Sequence, residues 1–233
     1  MTGVKLCGMM RKEDIIAANV SKPDYIGFVF AKNSKRYISP EDAMRFKEML
    51  DPSITAVGVF VDENIREVVR LLDEKVIDAV QLHGHEGERY ILQLRQEMTA
   101  MAAARCRDRV SVGCLSGRKP TGFRGIRNGV IKAFVVENKQ DLQKAGNSGA
   151  DHILLDAGYG NGEVFDWELL HGFTRPYFLA GGLRLDNVRA AVARLHPYAV
   201  DVSSGIETES VKDAVKMRQF VEAVRTLSDK YDN

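Results

Sequence analysis

The sequence predicts an α/β fold, a single-domain (β/α)8 barrel of the TIM type, and three observations carry that prediction. Short apolar runs alternate with helical patterns eight times along the 233 residues. The last two runs break into small residues, Gly181-Gly182 after one and Ser203-Ser204-Gly205 after the other. No linker-like stretch divides the chain. Strands that alternate with helices pair in parallel, and at eight repeats a parallel sheet closes most economically on itself.

The elements follow in order. Val4–Cys7 is an apolar run followed by a helical pattern over Lys12–Val20, and Tyr25–Phe30 is followed by Pro40–Leu50. In the second unit Ser39 is a natural N-cap, with proline at the first helical position and Asp42 at the third. Thr55–Val61 precedes a helix over Asn64–Glu74, and Ala79–Leu82 precedes one around Glu88–Glu97. Val130–Val135 leads to a short helix near Gln140–Ala145, and Ile153–Leu155 to a single turn around Trp167–His171. Tyr177–Ala180 pairs with a helix over Asp186–Leu195, which Asp186 could cap, and Ala199–Val202 pairs with one over Lys212–Leu227.

The rhythm fails once, between Thr99 and Asn128. Met101-Ala102-Ala103-Ala104 could extend the fourth helix, but Arg105–Arg109 and Gly117–Arg124 are basic, glycine-punctuated and aperiodic. The stretch reads as an insertion within the one domain, between the fourth helix and the fifth strand. Its position puts it at the N-terminal face of the barrel, as a solvated excursion or, less simply, a contact for a subunit or an anionic partner.

Composition excludes several classes. A hydrophobic content of 45% fills a sizeable core, and a formal charge of +1 argues against a general nucleic-acid binder. No run approaches the eighteen or so apolar residues of a membrane span, and the N-terminus lacks a secretory apolar core, so a cytoplasmic protein is expected. Cys7, Cys106 and Cys114 are an odd count without metal spacing, which indicates neither a disulfide framework nor a zinc site. Cys106 and Cys114 receive no role.

The loops after the last two strands of such a barrel usually hold a phosphate, so Gly181, Gly182, Ser203, Ser204 and Gly205 point to a small phosphorylated substrate bound by backbone N–H groups. The other strand ends carry a short polar set. Cys7 ends the first strand, where nearby Lys or Arg could bring its thiol toward a usable base; the alternative is a buried small hydrophobe. Asp156 ends the sixth strand before the flexible Ala157–Gly162, as an acid under a loop or as a turn cap. Arg36 follows the second strand, and Gln81 and His83 stand at the fourth. Asp201, between Val200 and Val202, must turn into the barrel or into hydrogen bonds with its neighbours.

Lys5-Leu6-Cys7-Gly8, Gly27-Phe28-Val29-Phe30, Ser34–Pro40, Val57–Val61, Val80–Gly84, Leu154-Leu155-Asp156, Ala180–Leu183 and Val200–Glu207 together resemble the phosphoribosylanthranilate isomerase family, over nearly the whole chain. The resemblance implies an isomerase of tryptophan biosynthesis that rearranges N-(5-phosphoribosyl)anthranilate to its 1-deoxyribulose 5-phosphate isomer, without metal or organic cofactor. By position it implies Cys7 as base, Asp156 as acid, Arg36 on the anthranilate carboxylate and Asp201 on its nitrogen. It implies Gly181, Gly182, Ser203, Ser204 and Gly205 at the phosphate, with Gln81 and His83 as substrate-binding walls. A monomer or homodimer with a phosphosugar substrate, no nucleic acid, no membrane and no fused partner domain is expected. Two departures accompany the resemblance: the long stretch 99–128, and a short loop after Asp156. The alternatives are the related isomerase of histidine biosynthesis, which carries an aspartate where Cys7 stands, and a non-catalytic scaffold.

Overall fold

In a β-strand successive side chains face opposite ways, so each strand of a closed barrel supplies one set of residues to the interior and another to the surrounding helices. A computed structural model of the chain describes residues 1–109, 128–156 and 167–231. Its eight barrel strands are β1 (Gly3–Cys7), β2 (Tyr25–Val29), β3 (Thr55–Phe60), β4 (Ala79–Leu82), β5 (Val130–Val135), β6 (His152–Asp156), β7 (Tyr177–Ala180) and β8 (Ala199–Val202). They pair in chain order and all in parallel, and β8 returns to β1 with Val4 opposite Val200 and Lys5 opposite Asp201. Closure leaves none of these eight strands with an unpaired edge.

Around the barrel lie α1 (Lys12–Ser21), α2 (Pro40–Met49), α3 (Ile65–Asp73), α4 (Glu88–Arg109), α5 (Lys139–Asn147), a 3-10 turn over Trp167–Leu170, α6 (Val188–Leu195) and α7 (Ala214–Tyr231). A two-stranded ribbon, β9 (Glu207–Thr208) with β10 (Val211–Lys212), stands between β8 and α7. The outward set of the strands, including Val4, Leu6, Ile26 and Phe28, packs with Ile15, Leu71, Leu94 and Phe220 of the helices. The inward set forms the floor of the barrel, where Tyr25, Val57, Ala79, Ile131, Leu154 and Phe178 are fully buried or nearly so. Truncating Phe178 to alanine would cost about 3–5 kcal/mol, since a cavity in a closed barrel has little freedom to collapse.

The N-cap of α2 is as expected, with Ser39 Oγ accepting from the Asp42 N–H at 3.1 Å. The expectation for Asp186 is corrected: α6 begins at Val188, so the N-cap position falls to Asn187. Asn187 Oδ1 accepts from the Arg184 N–H at 2.8 Å and its Nδ2 donates to the Gly182 carbonyl at 2.9 Å, which braces the glycine turn.

α4 also runs further than its first periodic stretch, through Arg109. Ile91, Leu94, Met98 and Met101 continue one face of it into the core. One turn on, Arg105 donates from Nε to Asp73 at 2.9 Å and from Nη2 to the Leu72 and Asp73 carbonyls at the end of α3. Part of the basic aperiodic run is therefore a helix anchored on its neighbour. Residues 110–127, with the rest of the predicted insertion and Cys114, and 157–166, the loop after Asp156, lie outside the described residues.

Candidate functional site

The C-terminal ends of the strands surround a cavity of about 330 Å3 lined by Cys7, Arg36, Gln81, His83, Asp156, Gly181, Gly182, Asp201, Ser203 and Ser204. Ten residues expected at the site from the sequence thus meet at one place. Gly205 does not line it. A Cβ there would fall 2.0 Å from the Leu183 carbonyl oxygen, so Gly205 lets the loops after β7 and β8 touch. Gly181 and Gly182 take φ of 90° and 61° in the turn leaving β7, a region that favours glycine.

Cys7 is the last residue of β1 and faces inward beside Val29 and Val59. Its sulfur fits because the neighbouring strand carries Gly27, where a Cβ would fall 2.5 Å from Sγ. Two residues earlier, on the same face, Lys5 is fully buried and places Nζ 3.0 Å from Asp201 Oδ1. Asp201 therefore satisfies both readings of its place in β8, turning inward and bonding a neighbour. Burial pushes the Cys7 thiol above its ordinary range; the Lys5 ammonium opposes this without reversing it. The expectation that neighbouring cations bring the thiol down is corrected for the free protein. Burial likewise pulls on the Lys5 ammonium, but the Asp201 carboxylate and Cys7 hold it above the usual lysine value.

Across the cavity, Asp156 ends β6 with a side chain 21% exposed, and the His83 Nε2 stands 3.5 Å from its Oδ2. Gln81 is 1% exposed and its Nε2 lies 2.9 Å from His83 Nδ1. The Gln81 amide thus orients the imidazole, with Nε2 turned toward the carboxylate. Gln81 Oε1 is buried and has no hydrogen-bond partner among the described residues. A buried acceptor on a cavity wall awaits a donor.

The third part of the site is ionic. Arg36 donates from Nε and Nη2 to the two oxygens of Glu207, at 2.7 and 2.8 Å. Glu207 Oε1 also accepts from Lys212 Nζ at 2.6 Å, and that ammonium reaches the Ser203 carbonyl at 2.9 Å. Burial alone would push the Glu207 carboxyl up, but hydrogen bonds from Arg36 and Lys212 hold it below its usual value. Burial lowers the Lys212 ammonium, with Glu207 opposing, while the hydrogen bonds to Glu207 raise Arg36.

Lys5, Glu207 and Lys212 are the members that sequence reasoning missed. Lys5 carried a signal, being two residues before Cys7 and so on the same face of a strand. Glu207 and Lys212 carried none, because their pairing depends on a ribbon of two-residue strands. Among the described residues no cluster of three or more His, Cys, Asp or Glu could hold a metal ion, and no helix is long and apolar enough to cross a membrane.

A family profile for N-(5′-phosphoribosyl)anthranilate (PRA) isomerase matches residues 4–119 and 122–223. The chain belongs to the phosphoribosylanthranilate isomerase family. The N-(5′-phosphoribosyl)anthranilate isomerase of Endomicrobium trichonymphae is 41% identical over 232 residues, covering 97% of this chain and 100% of the relative. Among solved structures, the phosphoribosylanthranilate isomerase of Thermotoga maritima superposes with a TM-score of 0.77 at 35% identity, over 97% of this chain and 100% of that one. A phosphoribosylanthranilate isomerase in complex with reduced 1-(o-carboxyphenylamino)-1-deoxyribulose 5-phosphate gives a TM-score of 0.75 at 35% identity, over the same shares. The matched residues include every strand end that carries the cavity, so the family resemblance read from the sequence and the closed barrel agree.

Proposed function

We propose that Cys7 and Asp156 are the base and the acid of the reaction that this member of the family catalyses, the isomerisation of N-(5′-phosphoribosyl)anthranilate in tryptophan biosynthesis. The observation that carries the assignment is that both stand on one cavity from β1 and β6, with β7 and β8 between them delivering the glycine and serine loops. A phosphate held by the loops after β7 and β8, through the N–H groups of Gly181, Gly182, Ser203 and Ser204, leaves the ribose lying between thiol and carboxyl.

Asp156 gives its proton to the ribose ring oxygen. The bond from that oxygen to C1′ breaks, and the anthranilate nitrogen supplies the electrons that make an iminium. The Cys7 thiolate then removes the C2′ proton, and the electron pair left behind neutralises the iminium as an enolamine. Tautomerisation to the ketone completes a rearrangement in which nothing is oxidised or reduced overall. The iminium charge beside Cys7 works in the same direction as Lys5, favouring the thiolate against the effect of burial.

Arg36 suits the anthranilate carboxylate, since it lines the cavity and a guanidinium matches a planar anion bidentately. Asp201, held in place by Lys5, accepts the N–H of the anthranilate amine. The unpartnered Gln81 Oε1 suits a ribose hydroxyl, and His83 joins the acid side through Asp156. All these residues come from one chain, which is compatible with a monomer or with a homodimer. The test is loss of fluorescence from freshly prepared phosphoribosylanthranilate with the purified protein. Saturable turnover is expected; an inert, folded protein overturns the reading.

A further inference from the structure

We propose that Glu207 is a positioning residue that fixes the Arg36 guanidinium before substrate arrives and, through Lys212, ties it to the phosphate loop, so that the site selects an aryl amine bearing a carboxylate. This rests on the reading of Arg36 given above. The side chain of arginine is long and rotameric, and a bidentate contact to a carboxylate requires its plane to be set. Here the Glu207 fork sets it, and two further contacts confine the stem and the backbone that carry it. Gly8, with φ of 82°, forms a floor so close that a Cβ there would fall 2.5 Å from Arg36 Cδ. The Arg36 backbone N–H donates to Ser34 Oγ at 3.1 Å. Glu207 takes one edge of the guanidinium, Nε with Nη2, and leaves the edge containing Nη1 for a ligand.

Glu207 is itself held. Its strand β9 pairs with β10 so that Glu207 and Lys212 stand opposite each other, and Lys212 is nearly fully buried. The Lys212 ammonium donates to Glu207 Oε1, to the Ser203 carbonyl and to Ser203 Oγ, and that hydroxyl donates to the Cys7 carbonyl at 3.1 Å. A continuous set of contacts therefore joins the carboxylate-binding arginine, the phosphate loop and the strand that carries the base. The distance between the two anionic ends of the substrate becomes a property of the protein.

Two effects of Glu207 oppose one another. Its negative charge weakens the field of Arg36 and Lys212, which loosens an incoming carboxylate, whereas its fork preorganises the guanidinium, which tightens one. We infer that preorganisation dominates, because the two fork bonds and the Lys212 bond are all short and charge-assisted.

The test compares wild type, Glu207→Gln and Glu207→Asp by calorimetry. The ligands are reduced 1-(o-carboxyphenylamino)-1-deoxyribulose 5-phosphate and the same compound without the carboxylate. In Glu207→Gln the Kd of the carboxylated ligand is expected to rise at least about tenfold while that of the other stays within about twofold, a selectivity loss of about 1 kcal/mol or more. With phosphoribosylanthranilate as substrate, KM should rise by more than kcat falls. An equal loss for both ligands makes Glu207 merely structural, and tighter binding of the carboxylated ligand makes it a charge neutraliser; either overturns the proposal. Glu207→Asp keeps the charge and should recover part of the selectivity. Should neither variant fold, nitrogen relaxation of the Arg36 side chain in ligand-free wild type decides: an Nε order parameter close to that of the backbone amides supports a fixed guanidinium, and one as low as those of exposed arginines overturns it. Failure of wild-type turnover would strike the functional reading, whereas unchanged carboxylate selectivity in an active enzyme strikes Glu207 alone.

Discussion

The two sides of the cavity are built differently. On the β8–β1 side, Cys7 is 8% exposed and stands over the buried Lys5–Asp201 pair, with Glu207 and Lys212 close by. On the β4–β6 side, Asp156 and His83 are 21% and 32% exposed, and the hydrogen bond that orients the ring comes from a neutral amide. The difference follows the chemistry each side performs. Taking a proton from carbon needs a thiolate that is dry yet countered by fixed positive charge, while giving one to a ring oxygen needs a carboxyl that can be reprotonated. Burial raises the thiol, so Lys5 keeps the thiolate within reach but does not make it the resting form.

The largest effect is expected from Cys7→Ser, which keeps the shape of the dry side and replaces the thiol by a far weaker acid. The turnover number should fall on the order of 10²–10⁴-fold with KM changed little, and a variant retaining more than about a tenth of wild-type turnover would remove Cys7 from the base role.

On the open side, Asp156→Asn is nearly isosteric but has no carboxyl proton to give. Affinity for the reduced product analogue should survive while turnover drops on the order of 10²-fold or more, measured with mass spectrometry to exclude reversion to aspartate. Near-wild-type turnover would transfer the acid role to water or His83.

Lys5→Met sharpens the contrast, because it leaves Asp201 buried without its cation. Stability at pH 7 should fall by about 3–5 kcal/mol in urea melts. Two pH effects follow from the directions of the shifts. The thiolate of Cys7, followed by ultraviolet absorbance against the Cys7→Ser variant, should form only above the ordinary thiol value of about 8.5, and the limb of kcat/KM that depends on it should lie there too. Lys5→Met should push that limb higher still. Lys5 itself is raised in the folded chain, so its stabilising pair with Asp201 is fully present below the unfolded lysine value of about 10.4 and is lost as pH rises through the folded one. The wild type should lose stability there, and the methionine variant should lack that step.

The smallest effect is expected far from both sides. Replacing residues 110–124 by a short Gly/Ser bridge, with Arg105 retained to hold α3, should leave kcat/KM within about threefold, because α4 ends before it and β5 begins after it, and the start of a barrel strand lies at the end opposite the cavity. Loss of activity in a folded deletion variant would mean that the segment reaches the site.

Much of this was legible in the order of the residues. The alternation of runs located all eight strands, because a run of three to seven mostly apolar residues is a local signal that tertiary packing seldom overrides. Cys7, Asp156, Arg36, Gln81, His83 and Asp201 were legible as candidates because they end, interrupt or follow such runs. The cap of α6 and the end of α4 were not, since a one-residue shift at a helix start and a helix held by contact with its neighbour leave little local trace.

The sequence by itself determined the repeat, the barrel and the identity of the groups at its mouth, all of which depend on spacing along the chain. Only the tertiary structure decided their states. Lys5 meets Asp201 across 196 positions and Arg36 meets Glu207 across 171, pairs that exist only once the barrel has closed. Whether burial or a neighbouring ammonium wins at Cys7 is likewise a balance between desolvation and Coulomb attraction. Both depend on three-dimensional distance and on the exclusion of water, and neither can be read from the order of residues.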